Sequence, residues 1–200
     1  NDQRNDIFKG VKNSESNDMI LISDVDEIPN LENINLKQIK NQIILFEQEI
    51  FYYKLNRYLP NFIWYGTKAC KKKDLISPQW LRNIKSKKYP LWRFDIFFSD
   101  TKFNNINFIK NGGWHFTNVK SAEKIDFKMK NFLHHLEYEE SGLGVEDVKK
   151  IISEKKVFYD HQADKREKKW DAKINLVKEN SQNLPVYIIE NANKFKDWLD

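Results

Sequence analysis

The chain has 200 residues, of which 40% are hydrophobic and 14% aromatic, and its formal net charge is +5. These values are typical of one folded domain with a sizeable core, and they exclude a disordered chain. The positive charge is spread over many lysines, too diffusely to predict nucleic-acid binding. Cys70 is the only cysteine, which excludes an internal disulfide and a cysteine-based zinc site. No apolar run approaches the ~20 residues that a membrane helix needs.

Taken in chain order, the hydrophobic patterns predict a mixture of strands and helices. Strands are expected at residues 19–23, in one or two segments of 42–56, and at 62–70, 91–98 and 107–110. Helices are expected at residues 3–12, 33–39, 78–87, 121–132, 145–156 and 184–199. Strands dominate the middle and helices the end, which favours an α/β or α+β layered domain over residues 1–200.

The first candidate site is an acidic turn directly after residues 19–23, which we predict to be a buried central strand. Asp24, Asp26 and Glu27 lie within four residues, and Pro29 ends the strand because it has no N–H to donate. Carboxylates this close repel one another unless a cation lies between them, and oxygen ligands suit Mg²⁺ or Mn²⁺. The alternative is a turn in which Asp26 or Glu27 caps the next helix.

The second candidate site contains two of the six glycines, Gly112 and Gly113, directly before Trp114 and His115. Paired glycines allow positive φ or a close approach of the backbone to a ligand. Trp114 would then supply a flat wall, and His115 a nitrogen that binds a metal or transfers a proton. The alternative is a β-bulge with Trp114 in the core and His115 hydrogen-bonded.

A third cluster consists of His134, His135 and Glu137. His135 and Glu137 are suited to acid–base chemistry. The alternative is that they lie at a helix end, where a protonated histidine interacts favourably with the helix dipole. Both interpretations stay open on the residues alone.

Three segments carry a resemblance, in this order along the chain. They are Ser23-Asp24-Val25-Asp26-Glu27-Ile28-Pro29, then Gly112-Gly113-Trp114-His115-Phe116-Thr117, then Leu184-Pro185-Val186-Tyr187 followed by Glu190-Asn191 and Phe195. Together they resemble glycosyltransferase family 17, the family of β-1,4-mannosyl-glycoprotein β-1,4-N-acetylglucosaminyltransferases and their bacterial relatives. The opening Gln3-Arg4-Asn5 and residues 77–82 are also similar to bacterial members, so the resemblance spans nearly the whole chain.

The resemblance implies a GT-A-like fold, which is an α/β Rossmann-type sandwich with a mixed sheet and flanking helices. It also implies transfer of N-acetylglucosamine or a related sugar from a UDP-sugar to a glycan acceptor, with inversion and with a divalent cation, Mn²⁺ or Mg²⁺. Asp24 and Asp26 match the motif that meets the metal and the nucleotide. Trp114 and His115 match the Trp-His pair of the family, and we expect His115 to contact the metal or the diphosphate.

Inversion requires a base that takes the proton of the acceptor hydroxyl, and a carboxylate is the usual choice. Four candidates stand in the sequence, which does not choose among them: Glu27, Glu47, Asp95 and Glu137. Members of the family carry several tens of residues before the Gln-Arg-Asn segment, so we expect this chain to be a fragment or the product of a shortened gene, without its first strands.

Two other functions stay open on the residues. One is a truncated, non-catalytic protein that keeps the glycosyltransferase fold or binds carbohydrate. The other is a metal-dependent nucleotidyltransferase or nuclease that uses the same Asp24 and Asp26. The compartment, the acceptor and the oligomeric state do not follow from the sequence.

Overall fold

A computed structural model of the chain describes residues 6–132, 135–159, 170 and 174–200. It has a mixed α/β fold in which a sheet is flanked by helices, consistent with the Rossmann-like sandwich that the family resemblance implies. The chain divides into two compact units, one of Asn1–Glu49 with Ile63–His115 and one of Ile50–Phe62 with Phe116–Asp200. The assignment of residues 1–200 to a single domain stays a prediction.

The regular elements are defined here by their bounds in the described residues. The strands are β1 (Met19–Ile22), β2 (Glu27–Pro29), β3 (Ile43–Tyr52), β4 (Arg57–Trp64), β5 (Lys68–Lys71), β6 (Ile106–Thr117) and β7 (Val177–Lys178). The α-helices are α1 (Pro78–Asn83), α2 (Ala122–Lys130), α3 (His135–Ser141), α4 (Val145–Ser153) and α5 (Val186–Glu190). Short 3₁₀ helices occur at Ile7–Val11, Leu36–Gln38, Lys72–Asp74, Phe94–Ile96, Ser181–Asn183 and Ala192–Trp198. None of the helices in this part of the chain is long and apolar enough to cross a membrane.

In the first unit, β1, β5 and β3 are neighbours in that order, and β6 pairs with both β2 and β3. The β1–β5 and β3–β5 pairs are antiparallel, with Ile20 opposite Cys70 and Ile44 opposite Ala69. The prediction of a strand at residues 19–23 is confirmed, but its predicted central place is wrong. Among the described strands, β1 ends the order and has β5 as its neighbour.

Both faces of this sheet are covered by apolar side chains. Ile43 and Leu45 of β3 belong to one buried cluster, whereas Ile44 and Phe46 belong to the other. The residues of β1 alternate between the same two clusters. Side chains of a strand alternate between faces, so a sheet buried on both sides requires the continuous apolar runs of β1 and β3.

Helix α1 carries an arginine to the candidate site. Its N-cap is Ser77, whose Oγ accepts a hydrogen bond from the backbone N–H of Trp80, and Pro78 occupies the first turn. The helix ends at Asn83, four residues earlier than predicted. The buried Lys68 donates hydrogen bonds to the carbonyl oxygens of Arg82 and Ile84, which satisfies acceptors at the end of the helix.

The second unit is built mainly from the later helices. Ser121 caps α2, as the sequence predicts, and the buried hydroxyl of Tyr138 on α3 donates to Asp126 on α2 over 3.0 Å. The predicted helix over residues 184–199 is instead α5 followed by a 3₁₀ segment. His134, a member of the third predicted cluster, lies outside the described residues.

The predicted strand at residues 91–98 is wrong. This segment is a loop with one 3₁₀ turn at Phe94–Ile96. Its apolar residues match the composition of a strand, but most of them are exposed rather than buried on one face. β-propensity reflects a good fit to a pleated, half-buried surface, and no such surface covers this segment in the described structure.

Candidate active site

The acidic motif forms a tight turn between β1 and β2. The backbone N–H of Glu27 donates to the carbonyl oxygen of Asp24 over 3.0 Å, and the N–H of Asp24 donates to Oε2 of Glu27 over 2.9 Å. A strand begins at Glu27 and ends at Pro29, so the alternative in which this turn caps a helix is wrong. The two reciprocal hydrogen bonds leave little freedom to the residues between Asp24 and Glu27.

Glu27 is the most enclosed of the three carboxylates, with a side chain only 1% exposed. Arg82 Nη1 donates to Glu27 Oε2 over 2.9 Å, and Arg82 Nη2 donates to Oε1 over 3.1 Å. Trp64 Nε1 also donates to Oε1, over 2.8 Å. Together with the N–H of Asp24, these donors satisfy a buried charge that would otherwise be strongly unfavourable.

Arg82 joins both ends of the turn. Its Nη2 also donates to Asp24 Oδ2 over 2.7 Å, and its Nη1 donates to the carbonyl oxygen of Gly66. Because a guanidinium group is planar and presents its donors in a fixed fork, it orients the two carboxylates relative to each other. The Asp24 side chain is 40% exposed, so Asp24, unlike Glu27, stays accessible to a ligand.

Asp26 and His115 lie side by side. The distance between His115 Nε2 and Asp26 Oδ2 is 3.5 Å, and the Asp26 side chain is 39% exposed. The pairing of β2 with β6 places His115 opposite Glu27, and the ring of Trp64 lies 4.9 Å from the imidazole. The structure therefore brings together the two sequence motifs, as predicted, while the metal-binding role of these residues stays a prediction.

Nδ1 of His115 is buried and has no hydrogen-bond partner among the described residues. An unpartnered acceptor is less costly than an unpartnered N–H, so of the two tautomers this environment favours the one with its proton on Nε2. Nε2 is the ring nitrogen that lies 3.5 Å from Asp26 Oδ2, which is longer than a close hydrogen bond.

Trp114 and the two glycines have a structural explanation. Trp114 lies opposite Ile28 in the β2–β6 ladder, one position from His115, so its side chain belongs to the other face. Gly113 has φ +132°, and a Cβ there would overlap the carbonyl oxygen of Ile28. A Cβ on Gly112 would come within 2.7 Å of the carbonyl oxygen of Ile109. The glycines permit close packing of backbone, whereas the cofactor role of Trp114 stays a prediction.

A buried network of polar side chains packs against the turn. Gln48 Nε2 donates to Thr67 Oγ1 over 3.2 Å, and the Thr67 N–H donates to Gln48 Oε1 over 3.0 Å. Ser23 and Thr67 share a hydrogen bond of 2.6 Å between their hydroxyl groups. Gly66 leaves the space that the side chains of Gln48 and Glu27 occupy, because a Cβ there would overlap both of them.

The other two predicted catalytic residues, Asp95 and Glu137, belong to other segments of the chain. Asp95 accepts hydrogen bonds from Arg93 and Lys102, and these lower its pKa to about 2. A carboxylate with so low a pKa is a weak base. Glu137 belongs to α3 in the second unit, where it is partly buried.

The described residues contain no group of three or more histidine, cysteine or acidic side chains placed to hold a metal ion. Asp24 and Asp26 are nevertheless exposed oxygen donors on one turn, which is the donor chemistry of Mg²⁺ and Mn²⁺. These ions commonly take only one or two carboxylates from the protein and complete their coordination with phosphate oxygens and water. The carboxylates of the turn therefore fit such an ion in the presence of a diphosphate.

Two residues of the site escaped the sequence analysis: Arg82 and Gly66. The signal for Arg82 was indirect, because an acidic residue at the start of a buried strand needs a cationic partner. The segment of residues 77–82, which already carried part of the family resemblance, supplies that partner.

Comparison with known proteins gives one match. The family model described as Glycosyltransferase family 17 matches residues 2–200. The searches of curated proteins and of solved structures gave no significant match. The family match covers both motifs of the site and nearly the full sequence, in agreement with the resemblance. The chain belongs to glycosyltransferase family 17.

Proposed function

We propose that this glycosyltransferase transfers N-acetylglucosamine or a related sugar from a UDP-sugar to a glycan acceptor, with inversion and with a divalent cation at the acidic turn. Family membership implies a sugar donor and an acceptor. The observation that carries the finer proposal is the arrangement of the turn. Arg82 holds Asp24 and Glu27, while Asp26 is exposed beside His115.

Asp26 and Asp24 are the residues that would hold the cation. When bound, a divalent cation offsets the negative charge that develops on the diphosphate leaving group. Arg82 already compensates much of the charge of Asp24 and Glu27, so the turn is stable without the cation. Asp26 is then the carboxylate of the motif that adds most to the attraction for a cation.

His115 fits a supporting role better than a ligand role. A histidine that binds a metal through Nε2 carries its proton on Nδ1 and usually donates it to an acceptor. Nδ1 of His115 has no such acceptor among the described residues. We therefore propose that His115 orients the carboxylate of Asp26 by donating from Nε2.

Glu27 is the least suitable of the candidate bases. Both of its oxygens accept hydrogen bonds from Arg82, and the side chain is nearly inaccessible to an acceptor hydroxyl. We propose that Glu27 holds the turn in place. The base then remains among the other carboxylates, of which Asp95 is disfavoured by its low pKa.

The test is isothermal titration calorimetry of UDP with the wild type and with Asp26→Asn, in the presence of Mn²⁺ and of a chelator. We expect Mn²⁺-dependent binding in the wild type and its loss in Asp26→Asn, because the variant lacks a charged cation ligand. Asp197→Asn, the same change at an exposed aspartate of the second unit, is the matched control and should bind as the wild type does. Equal binding by the wild type with and without chelator would refute the role of the cation.

A second assay separates an enzyme from a non-catalytic carbohydrate-binding protein. Release of UDP from UDP-N-acetylglucosamine with Mn²⁺ is expected for the wild type and not for Asp26→Asn. Binding of UDP without any turnover, with or without added glycan acceptors, would favour the non-catalytic alternative. Turnover of other UDP-sugars but not of UDP-N-acetylglucosamine would change the identity of the proposed donor sugar and leave the proposed reaction unchanged.

A further inference from the structure

The loop of residues 91–98, called the aromatic loop below, displays an unusual set of exposed apolar side chains. The exposed fractions are 66% for Leu91, 76% for Trp92, 78% for Phe94, 66% for Phe97 and 91% for Phe98. Single exposed apolar residues are normal on protein surfaces, whereas clusters of this kind mark binding surfaces. The proposed donor and cation sites do not involve these five side chains.

The base of the aromatic loop is fixed by hydrogen bonds on both sides. The N–H of Lys85 donates to the carbonyl oxygen of Thr101 over 2.9 Å, and the N–H of Tyr89 donates to that of Phe103 over 3.3 Å. Trp80 Nε1 donates to the carbonyl oxygen of Asp100 over 2.6 Å. The buried helix α1 therefore anchors the segment, so that its tip is presented outward rather than folded onto the core.

The interior of the loop is also braced. Asp95 accepts hydrogen bonds from Arg93, at 2.8 and 2.7 Å, and from Lys102, at 2.6 Å. The guanidinium group of Arg93 lies 5.3 Å from the ring of Tyr89. The one carboxylate within the aromatic loop is thus neutralised locally, which lowers the cost of bringing the loop to an apolar or anionic surface.

The charges around the aromatic loop are predominantly positive. Residues 85–102 contain five basic and two acidic side chains, a net charge of +3. Lys85, Lys87 and Lys88 are exposed directly before the loop. Aromatic and leucine side chains next to exposed lysines are the combination that binds the interface of a bilayer with anionic lipids.

We propose that the aromatic loop is a membrane-surface anchor, which inserts its aromatic side chains into the interfacial region of a bilayer that contains anionic lipids. Lys85, Lys87 and Lys88 contact the headgroups. Two features favour a bilayer over a protein partner: the five apolar side chains are 66–91% exposed, and the adjoining charge complements an anionic surface. The inference is independent of the proposed donor and cation.

The experiment is flotation of the protein with vesicles of phosphatidylcholine alone and of phosphatidylcholine mixed with phosphatidylglycerol. We expect the wild type to bind the mixed vesicles and to bind the neutral ones far more weakly. Phe98→Ser should weaken partition about tenfold, since one fully buried aromatic side chain is lost from the bilayer. Phe127→Ser is the matched control, because Phe127 is 69% exposed on α2 in the second unit.

A charge variant tests the lysines separately. Replacing Lys85, Lys87 and Lys88 with glutamine should weaken binding to the mixed vesicles about fivefold per lysine and leave the weak binding to neutral vesicles unchanged. Quenching of Trp92 by brominated lipid gives an independent readout, which Trp92→Phe should remove. All of these side chains are exposed, so circular dichroism and the unfolding temperature should match the wild type.

The proposal is overturned if the wild type binds neither kind of vesicle, or if Phe98→Ser binds like the wild type. Loss of concentration-dependent self-association in Phe98→Ser, without vesicle binding by the wild type, would overturn it in favour of an interface between two copies. Binding of UDP in solution should be unchanged by Phe98→Ser. If the wild type does not bind UDP, that result contradicts the proposed donor site and leaves the membrane anchor unaffected.

Discussion

Replacement of Arg82 by methionine tests whether this one side chain holds the acidic turn. In the wild type Arg82 makes two hydrogen bonds to Glu27, one to Asp24 and one to Gly66. Removing one partner of a buried ion pair typically costs about 3–5 kcal/mol, because the other charge is left buried without compensation. Glu27 dominates this cost, since its side chain is 1% exposed, whereas Asp24 at 40% remains hydrated and contributes about 1 kcal/mol or less.

The assay is urea unfolding at pH 7, followed by circular dichroism, for four proteins: the wild type, Arg82→Met, Glu27→Gln and the double variant. Arg82→Met should lower the free energy of unfolding by about 3–5 kcal/mol. The double variant should recover about 1–3 kcal/mol of that loss, because the uncompensated charge is then absent. Arg82→Lys keeps the charge but not the fork of donors, and should fall between the wild type and Arg82→Met.

Two outcomes would refute the reasoning. A loss of less than about 1 kcal/mol in Arg82→Met would mean that Glu27 is effectively solvated in the folded protein. If the double variant is no more stable than Arg82→Met, the loss in free energy of unfolding arises from lost packing of the arginine side chain and not from the unpaired carboxylate of Glu27. Asp24→Asn serves as the matched control, with an expected change of about 1 kcal/mol or less.

Two further predictions concern the support beneath the site. Gly66→Ala should lower the free energy of unfolding by about 1–3 kcal/mol, because a Cβ there overlaps the side chains of Glu27 and Gln48. Gly10→Ala is the control: a Cβ there contacts no other atom, so the free energy of unfolding in the same urea assay should not change. Lys68 should titrate by NMR with a pKa of about 8, lowered from 10.5 mainly by its burial and further by Arg82. The folded state then disfavours the charged amine, so the stability of the wild type relative to Lys68→Met should rise between about pH 8 and pH 10.5. A pKa near 10.5 would contradict this.

The acidic turn was predictable because its signals are local. A short apolar run, three carboxylates and a proline lie within eleven residues, and they predict a strand that ends in a charged turn. The division of roles among the carboxylates was not predictable, because it depends on Arg82. That residue is 55 positions from Glu27, and no local pattern indicates that the two side chains meet.

The paired glycines illustrate a different limit. Their sequence indicates that the backbone takes an unusual conformation or approaches something closely, but not what it approaches. In the structure Gly113 approaches the carbonyl oxygen of Ile28 in the neighbouring strand. The register that follows places His115 opposite Glu27, so the glycines contribute to the site through strand pairing rather than through a ligand.

The aromatic loop was mistaken for a strand because its residues have high β-propensity. Such residues favour strands when a neighbouring strand and a covered face are available. Here both ends of the segment are tied to each other and to α1, which leaves the tip without a strand to pair with in the described structure. The exposure that contradicts the strand is the same property that supports the membrane anchor.

Arg82 acts on the turn that contains Asp26 through the residues at the two ends of that turn. Asp24 and Glu27 are the first and last residues of a four-residue turn, and both are fixed to the same guanidinium group. The backbone hydrogen bond from Glu27 to Asp24 then restricts the conformation of the two residues between them. Buried ion pairs seldom add net stability compared with apolar residues of similar volume, so stability alone does not explain this one. In the proposed function, the ion pair restricts the turn that carries Asp26, and a restricted turn loses less entropy on binding a ligand than a flexible one.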